Sequence, residues 1–150
     1  MFNKYLVFDM DGTIVDLYGV KNWLEMLRAE DATPYKIAKP LYNMDSLNFI
    51  VNILKNQGWK IIITTWLAKE SSDYYDEKVK KAKLEWLEKM NFPYDEIYIT
   101  DYGVLKTTCT EKYGGFQILI DDNEQVRNLW NLGDVINANE NILEKLIKLI

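Results

Sequence analysis

The sequence contains no histidine and only one cysteine, Cys109, among its 150 residues. Without histidine there is no Ser-His-Asp triad, no histidine metal ligand and no phosphohistidine chemistry. A single cysteine excludes an intramolecular disulfide, which fits a reducing compartment. Acid–base chemistry in this chain therefore falls to carboxylates.

Long apolar runs and positive charge are also scarce. The longest apolar runs fall far short of the roughly 20 residues that a membrane-spanning helix needs. The formal net charge of −5 offers no electrostatic footprint for duplex nucleic acid or an anionic membrane, although a bound cation would still allow a small anionic substrate. Strand and acids occupy the place of a signal peptide in MFNKYLVFDMDG, so we expect a cytoplasmic protein. No pattern indicates an oligomeric state.

Strand-like and helix-like segments alternate along the chain. Short apolar runs predict strands at about 5–8, 59–65, 96–100, 116–120 and 133–138. Helical spacing predicts helices at about 20–30, 46–58, 71–90, 106–113, 123–130 and 140–150, the second capped by Asp45 or Ser46. This alternation predicts an α/β fold, a Rossmann-like three-layer α/β/α sandwich with a mainly parallel five-stranded sheet.

Residues from about 16 to 44 interrupt the alternation. Two of the three prolines, Pro34 and Pro40, lie there and are expected to break regular structure. The segment is too short to fold independently, so we expect one domain, 1–150, with a small insert after the first strand.

Two aspartates, Asp9 and Asp11, directly follow the first apolar run in KYLVFDMDGT. Open parallel sheets bind ligands at the carboxyl ends of their strands. Two carboxylates there repel each other unless a cation or a shared proton compensates. Gly12 permits a turn and the close approach of a ligand. A solvated acidic turn is the alternative explanation of this stretch taken alone.

A second acidic pair, Asp121 and Asp122, follows the apolar run FQILI. Capping of the next helix would account for one of these residues but not readily for both. Oxygen ligands of this kind suit Mg²⁺, which binds one or two carboxylates together with substrate phosphate.

A hydroxyl and an ammonium complete the candidate site. Thr64 closes the run IIIT, where its hydroxyl can donate to a phosphate oxygen; Thr65 is the alternative, and an ordinary strand threonine is the other explanation. Lys106 opens the helix before the fourth strand, where an ammonium would offset phosphoryl charge. A surface lysine is the simpler explanation of Lys106, and Lys112 is its rival for the role.

The four segments, led by D-x-D-G-T, resemble in order the motifs of the haloacid dehalogenase-like phosphatase superfamily. The resemblance implies that Asp9 is the nucleophile that becomes an aspartyl-phosphate and that Asp11 is the general acid and base. It implies that an insert after the first strand forms a cap over the active site. It also implies that the phosphate is bound by Thr64, Thr65 and Lys106. It implies a Mg²⁺ site formed by Asp9, the Asp11 carbonyl, Asp121 and Asp122.

Within the superfamily, the layout DMDGT, TT, WLE, IYIT and LIDDN resembles the 5′(3′)-deoxyribonucleotidases, although the insert is shorter than a nucleotidase cap. We therefore expect Mg²⁺-dependent hydrolysis of a small phosphorylated metabolite such as a nucleoside monophosphate. Trp66 and Tyr18 are the candidate pocket walls. Trp23, Tyr35 and Tyr42 would either stack on a base or pack the insert onto the core.

Four other functions are compatible with parts of this sequence evidence. A sugar-phosphate phosphatase would use every one of the same catalytic residues. A phosphatase of polynucleotide ends would favour a basic groove, and the acidic composition of the chain does not indicate one. A non-catalytic module that binds Mg²⁺ or a partner belongs to a different class, and the intact acids speak against it. A hydrolytic dehalogenase fits the three further acids less well, because they indicate metal chemistry.

Overall fold

A sheet of five strands, all parallel, forms the centre of the computed structural model, which describes residues 3–150. In chain order the strands of the molecule are β1 (Lys4–Phe8), β2 (Val15–Asp16), β3 (Lys39–Pro40), β4 (Trp59–Trp66), β5 (Glu96–Thr100), β6 (Phe116–Asp121) and β7 (Val135–Asn137). The central sheet has the order β5-β4-β1-β6-β7, and β2 and β3 form a separate antiparallel pair. The predicted α/β fold is confirmed, with a sheet that is parallel throughout.

Helices cover both faces of the sheet. They are α1 (Trp23–Arg28), α2 (Thr33–Ile37), α3 (Met44–Asn56), α4 (Asp73–Lys89), α5 (Thr107–Thr110), α6 (Glu124–Leu129) and α7 (Ile142–Ile147). Alternate residues of β1 separate into two cores: Leu6 and Phe8 pack with α3 and α7, whereas Tyr5 and Val7 pack with Val126 of α6. Because both of their faces are buried, the inner strands β1, β4 and β6 each contain an uninterrupted apolar stretch, which predicts a strand well.

The insert lies between β1 and α3 and contains a second helix that the sequence does not predict. Its first helix is limited to Trp23–Arg28, and the expected break at Pro34 is instead the first turn of α2. Proline is compatible with that position because the first amides of a helix have no intrahelical partner. Leu17 and Tyr35 of the insert pack against Tyr75 and Val79 of α4.

Helix ends differ from the prediction by a few residues. Asn43, rather than Asp45 or Ser46, caps α3, because its side-chain oxygen accepts a hydrogen bond from the Ser46 amide at 3.0 Å. The helix predicted at 106–113 is a single α-helical turn followed by a 3-10 turn, Glu111–Tyr113. No helix formed by residues 3–150 has the length and apolarity needed to cross a membrane.

Candidate active site

The three inner strands, β4, β1 and β6, carry polar residues at their carboxyl ends, on the same side of the molecule. Phe8 pairs with Ile63 on one side and with Ile120 on the other. Residues in register on parallel strands point to the same face of the sheet. The next residues are Asp9, just after β1, Thr64, inside β4, and Asp121, the last residue of β6, and they are therefore level with one another and on the same side of the sheet. This register brings together residues that are far apart in the sequence.

Asp9, Asp121 and Asp122 form a compact carboxylate cluster. One oxygen of each lies within 4.8 Å of the others, and Asp9 and Asp121 are 7% and 1% exposed. Burial, reinforced by the charge of Asp9, raises the pKa of Asp121 and raises that of Asp122 to about 8. A donor set made only of carboxylate oxygens suits a hard divalent cation, so this cluster can hold a metal ion.

Lys106 is the cation of this cluster. Its Nζ donates to Asp9 Oδ1 at 2.8 Å and to Asp121 Oδ2 at 2.7 Å. Burial opposes the charge on Lys106, but the two carboxylates outweigh burial and raise its pKa. Lys106 is thus a buried ion-pair partner rather than a surface lysine. The rival Lys112 is exposed, and its Nζ lies 4.8 Å from the centroid of the Tyr98 ring.

The second oxygen of Asp9 is held by Thr13. The Thr13 hydroxyl donates to Asp9 Oδ2 at 2.9 Å, and Thr13 is fully buried. Both carboxylate oxygens of Asp9 therefore have a donor, which fixes the orientation of the side chain. The D-x-D-G-T pattern contains Thr13, but the sequence alone did not assign this contact to it.

Asp11 pairs with a residue that the sequence analysis did not identify, Lys83 of α4. Lys83 Nζ donates to Asp11 Oδ2 at 2.9 Å, to Thr65 Oγ1 at 2.6 Å and to the Trp66 carbonyl at 2.9 Å. Burial raises the pKa of Asp11, and Lys83 offsets part of that rise. The Thr65 hydroxyl oxygen therefore already accepts a hydrogen bond from Lys83. Its predicted contact with phosphate stays a prediction.

A signal for Lys83 was present in the helical periodicity. Lys83 lies four residues after Val79 and four before Leu87, and both of these residues are fully buried in the core. A lysine on the apolar face of a helix either turns its ammonium to solvent or finds a buried partner. With 0% exposure, Lys83 belongs to the second case.

Two polar atoms near the acids have no hydrogen-bond partner among residues 3–150. They are Asp11 Oδ1 and the Thr64 hydroxyl, and both are buried. Buried polar atoms are normally paired, and of these two residues only Asp11 lines the cavity at the acids, where a ligand could reach it. Thr64 does not itself line the cavity at the acids, and its role in phosphate binding stays a prediction.

A cavity of about 350 Å³ opens over the acids. Its walls come from the acidic strand ends and from the insert, and they include both predicted wall residues, Tyr18 and Trp66. Trp23 and Tyr35 line it as well. Tyr42 lies elsewhere, because its hydroxyl donates to the Glu140 carbonyl at 3.1 Å. The insert therefore forms one side of the cavity, as a cap would.

The parallel sheet and its buried acidic cluster fit the haloacid dehalogenase-like fold. No protein-family model and no curated protein matches the sequence. Among solved structures, the chain is similar to one in a structure described as the Pnkp1/Rnl/Hen1 RNA repair complex, with a TM-score of 0.57 and 20% identity. The match covers 91% of this chain and 42% of that one. The likeness establishes the fold, and our chain spans less than half the length of its neighbour.

Proposed function

We propose that this protein is a Mg²⁺-dependent phosphomonoester hydrolase that acts through an aspartyl-phosphate. The observation that carries the proposal is the setting of Asp9. Its carboxylate is held by Lys106 at 2.8 Å and by Thr13 at 2.9 Å. A second carboxylate, Asp11, follows two residues later on the same cavity wall. A fixed nucleophile beside a group able to transfer a proton is what two-step phosphoryl transfer requires.

The proposed reaction has two steps. A carboxylate oxygen of Asp9 attacks phosphorus, the bond to the leaving oxygen breaks, and Asp11 gives its proton to that oxygen. Asp11 then takes a proton from water, whose oxygen attacks phosphorus and releases inorganic phosphate and the Asp9 carboxylate. Lys106 holds the Asp9 carboxylate in place and offsets charge on the phosphoryl oxygens. The unpartnered hydroxyl of Thr64 is a further proposed donor to those oxygens.

Mg²⁺ is the cofactor that the acidic cluster fits best. Asp9, Asp121 and Asp122, with the Asp11 carbonyl, are the residues that would hold it. When bound, the ion screens the anionic nucleophile from the anionic substrate. All of these donors are oxygens, which suits Mg²⁺ better than a softer metal.

The sequence favours a small metabolite, such as a nucleoside monophosphate, as substrate. The structural likeness to a chain of an RNA repair complex supports the phosphate at a polynucleotide end more strongly. A net charge of −5 argues against an extended nucleic-acid surface. A polynucleotide substrate would therefore enter the site by its terminal nucleotide alone. We propose the terminal phosphate of a polynucleotide as the preferred substrate and a free nucleotide as the second candidate.

Phosphate release tests this proposal. The substrates are 5′- and 3′-nucleoside monophosphates, 3′- and 5′-phosphorylated oligonucleotides, sugar phosphates and an aryl phosphate, each with Mg²⁺ and with EDTA. Asp9→Asn is the test variant, and Asp45→Asn, at an exposed position, is its matched control. We expect release that EDTA and Asp9→Asn abolish and Asp45→Asn leaves unchanged. Release that survives Asp9→Asn would overturn the mechanism. Mg²⁺ binding without turnover on any substrate would favour a non-catalytic module.

A further inference from the structure

A second cavity, of about 230 Å³, lies beside the acidic one, and we call it the side cavity. Trp66 and Lys106 line both cavities. Lys106 Nζ lies 2.8 Å from Asp9 Oδ1 and 5.4 Å from the centroid of the Trp66 ring. The two cavities therefore adjoin next to Asp9, and a group attached to a phosphate held there is within reach of the side cavity.

The walls of the side cavity are rich in aromatic side chains and, apart from Lys106, uncharged. Trp66, Tyr102 and Trp130 provide rings, and Asn123 and Gln125 provide amides. Among the described residues that line the side cavity, Lys106 carries the one full charge, and its ammonium is already shared by two carboxylates. Such walls suit a planar ring with a polar edge. They offer little to a second phosphate, which would need a free cation.

Trp130, which lines the side cavity, has an indole N–H that no other described residue uses. Trp130 is 8% exposed, yet its Nε1 is buried and has no hydrogen-bond partner among residues 3–150. In contrast, Trp66 Nε1 donates to the Val104 carbonyl at 2.9 Å and Trp86 Nε1 donates to the Ala38 carbonyl at 2.8 Å. A buried donor without an acceptor is costly, and an acceptor on a ligand would remove that cost.

Apolar side chains around the side cavity are unusually exposed. Tyr102, Leu105 and Leu129 keep 55%, 49% and 56% of their surface in solvent, and all three line the cavity. Apolar surface gathered around a concave site typically marks a place where a ligand binds.

We propose that the side cavity binds the nucleobase of the substrate whose phosphate is held at Asp9. This inference rests on the proposed phosphatase activity and names the class of leaving group. The rings of Trp66 and Tyr102 offer stacking surfaces, and the Trp130 indole offers a donor to an acceptor on the edge of the base. The base then lies on the side of the sheet covered by α6. Tyr18, on the insert, faces the acidic cavity instead.

Binding of free nucleosides tests the site without any turnover. The protein carries ¹⁵N-labelled tryptophan, and the indole signal of Trp130 is assigned by its loss in Trp130→Phe. Adenosine and cytidine are titrated, with ribose as the control that lacks a base. We expect saturable shifts of the Trp130 signal with the nucleosides and none with ribose. An unmoved Trp130 signal, or equal shifts with ribose, would overturn the proposal whether or not the protein hydrolyses phosphate.

Kinetics with paired substrates provide the second test. Trp130→Phe keeps a ring and removes the donor, so KM for a nucleotide should rise about 3- to 10-fold while kcat is retained. KM for glycerol phosphate, which has no base, should not change. Trp59→Phe is the matched control, because Trp59 lines neither cavity. An equal effect of Trp130→Phe on both substrates would show a structural role and overturn the proposal.

A substitution at an exposed residue provides a test that does not depend on correct folding of Trp130→Phe. Leu129→Glu places a charge at the last residue of α6, beside the side cavity, and should weaken nucleotide binding by at least as much. Ile147→Glu is its control, because Ile147 is 53% exposed at the last residue of α7 and lines neither cavity. No change in KM with Leu129→Glu would count against the site.

The source of the base is decided by two further substrates. A 3′-phosphorylated oligonucleotide is compared with the same oligonucleotide ending in an abasic nucleotide. If a polynucleotide end is the source, removal of the terminal base should raise KM as much as Trp130→Phe does. If a free nucleotide is the source, the mononucleotide should be hydrolysed with the higher kcat/KM. If KM does not depend on the presence of the base in either the oligonucleotide or the mononucleotide, the proposal is overturned.

Discussion

Lys83 Nζ lies 2.9 Å from Asp11 Oδ2, although the two residues are 72 positions apart in the sequence. Lys83 is 0% and Asp11 13% exposed in their side chains. The ion pair therefore joins the middle of α4 to the loop after β1. It also leaves the other oxygen of Asp11, which is buried without a partner, as the one available to a substrate.

Replacement of Lys83 should destabilise the fold through the charge left behind. Lys83→Met would leave Asp11 buried beside an apolar side chain, and breaking a buried pair from one side costs about 3–5 kcal/mol. We expect a loss near the lower end of that range in urea unfolding, because Asp11 retains some contact with water. Adding Asp11→Asn should recover part of this loss, since no buried charge then remains.

Lys80→Met is the matched control for Lys83→Met. Lys80 lies one turn earlier on α4 and pairs with Glu77 at 3.2 Å, with 39% of its side chain exposed. A surface pair of this kind contributes less than about 1 kcal/mol. Equal losses for Lys80→Met and Lys83→Met would show that the pair with Asp11 does not stabilise the fold.

Thr13 should affect catalysis more than stability. Thr13→Val keeps the shape of the side chain but removes the donor to Asp9 Oδ2, so the nucleophile would lose one of its two constraints. We expect kcat/KM for phosphate release to fall by about 10-fold or more, the equivalent of one hydrogen bond to a charged group. Thr13→Ser retains the hydroxyl and should keep most of the activity. A Thr13→Val enzyme as active as the parent would exclude this role.

The sequence was sufficient to predict the sheet and the position of its acids. The inner strands β1 and β6 are apolar stretches followed by acids, so the sequence alone places Asp9 and Asp121 together at the carboxyl end of the sheet. Lys106 was also singled out in advance, and its contact with both acids is a geometric result that its sequence position alone could not supply.

The contacts that the sequence did not reveal depend on the packing of distant elements. Helical periodicity places Lys83 on the apolar face of α4, but its partner Asp11 comes from a distant loop and is set by the docking of α4 on the sheet. Pro34 resembles a break in structure but starts a helix, because the first turn has no need of its missing amide. Trp130 gave no signal, since an unpartnered indole is a property of the folded chain.

Metal binding should stabilise the protein measurably. Asp122 lies in the carboxylate cluster without the ammonium partner that Asp9 and Asp121 share. An ion bound only by the folded state would add about 2.7 kcal/mol at 100 times its Kd. We expect the Tm to rise with Mg²⁺ and to return to its starting value with excess EDTA. An unchanged Tm over a wide range of Mg²⁺ concentrations would contradict a metal site.

Asp122→Asn should have opposite effects with and without metal. In EDTA the variant removes a carboxyl group whose ionised form is disfavoured by burial and by the charge of Asp9, so its Tm near neutral pH should exceed that of the parent by about 2–4 °C, or roughly 1 kcal/mol. In Mg²⁺ it lacks one ligand, and the rise in Tm should shrink or disappear. Asp134→Asn, at an exposed position, serves as the control and should change neither value. A lower Tm for Asp122→Asn in EDTA would argue that Asp122 is held by favourable contacts instead.

Gly12 should be intolerant of a side chain for two separable reasons. Its φ is +84°, and a Cβ there would clash with Asp122 Oδ2 and with the Tyr18 ring. Gly58 has a similar φ of +97°, but its nearest neighbour would be Lys4 Cε at 3.9 Å. Gly58→Ala therefore measures the backbone cost alone, about 1–2 kcal/mol.

Gly12→Ala should lose more stability than Gly58→Ala in urea unfolding, because the clash adds to the same backbone cost. It should also displace Asp122 and so weaken the effect of Mg²⁺ on Tm, which Gly58→Ala should preserve. Equal losses, with the Mg²⁺ effect intact in both variants, would mean that Asp122 can move aside and that its close contact with Gly12 does not hold the metal ligands in place.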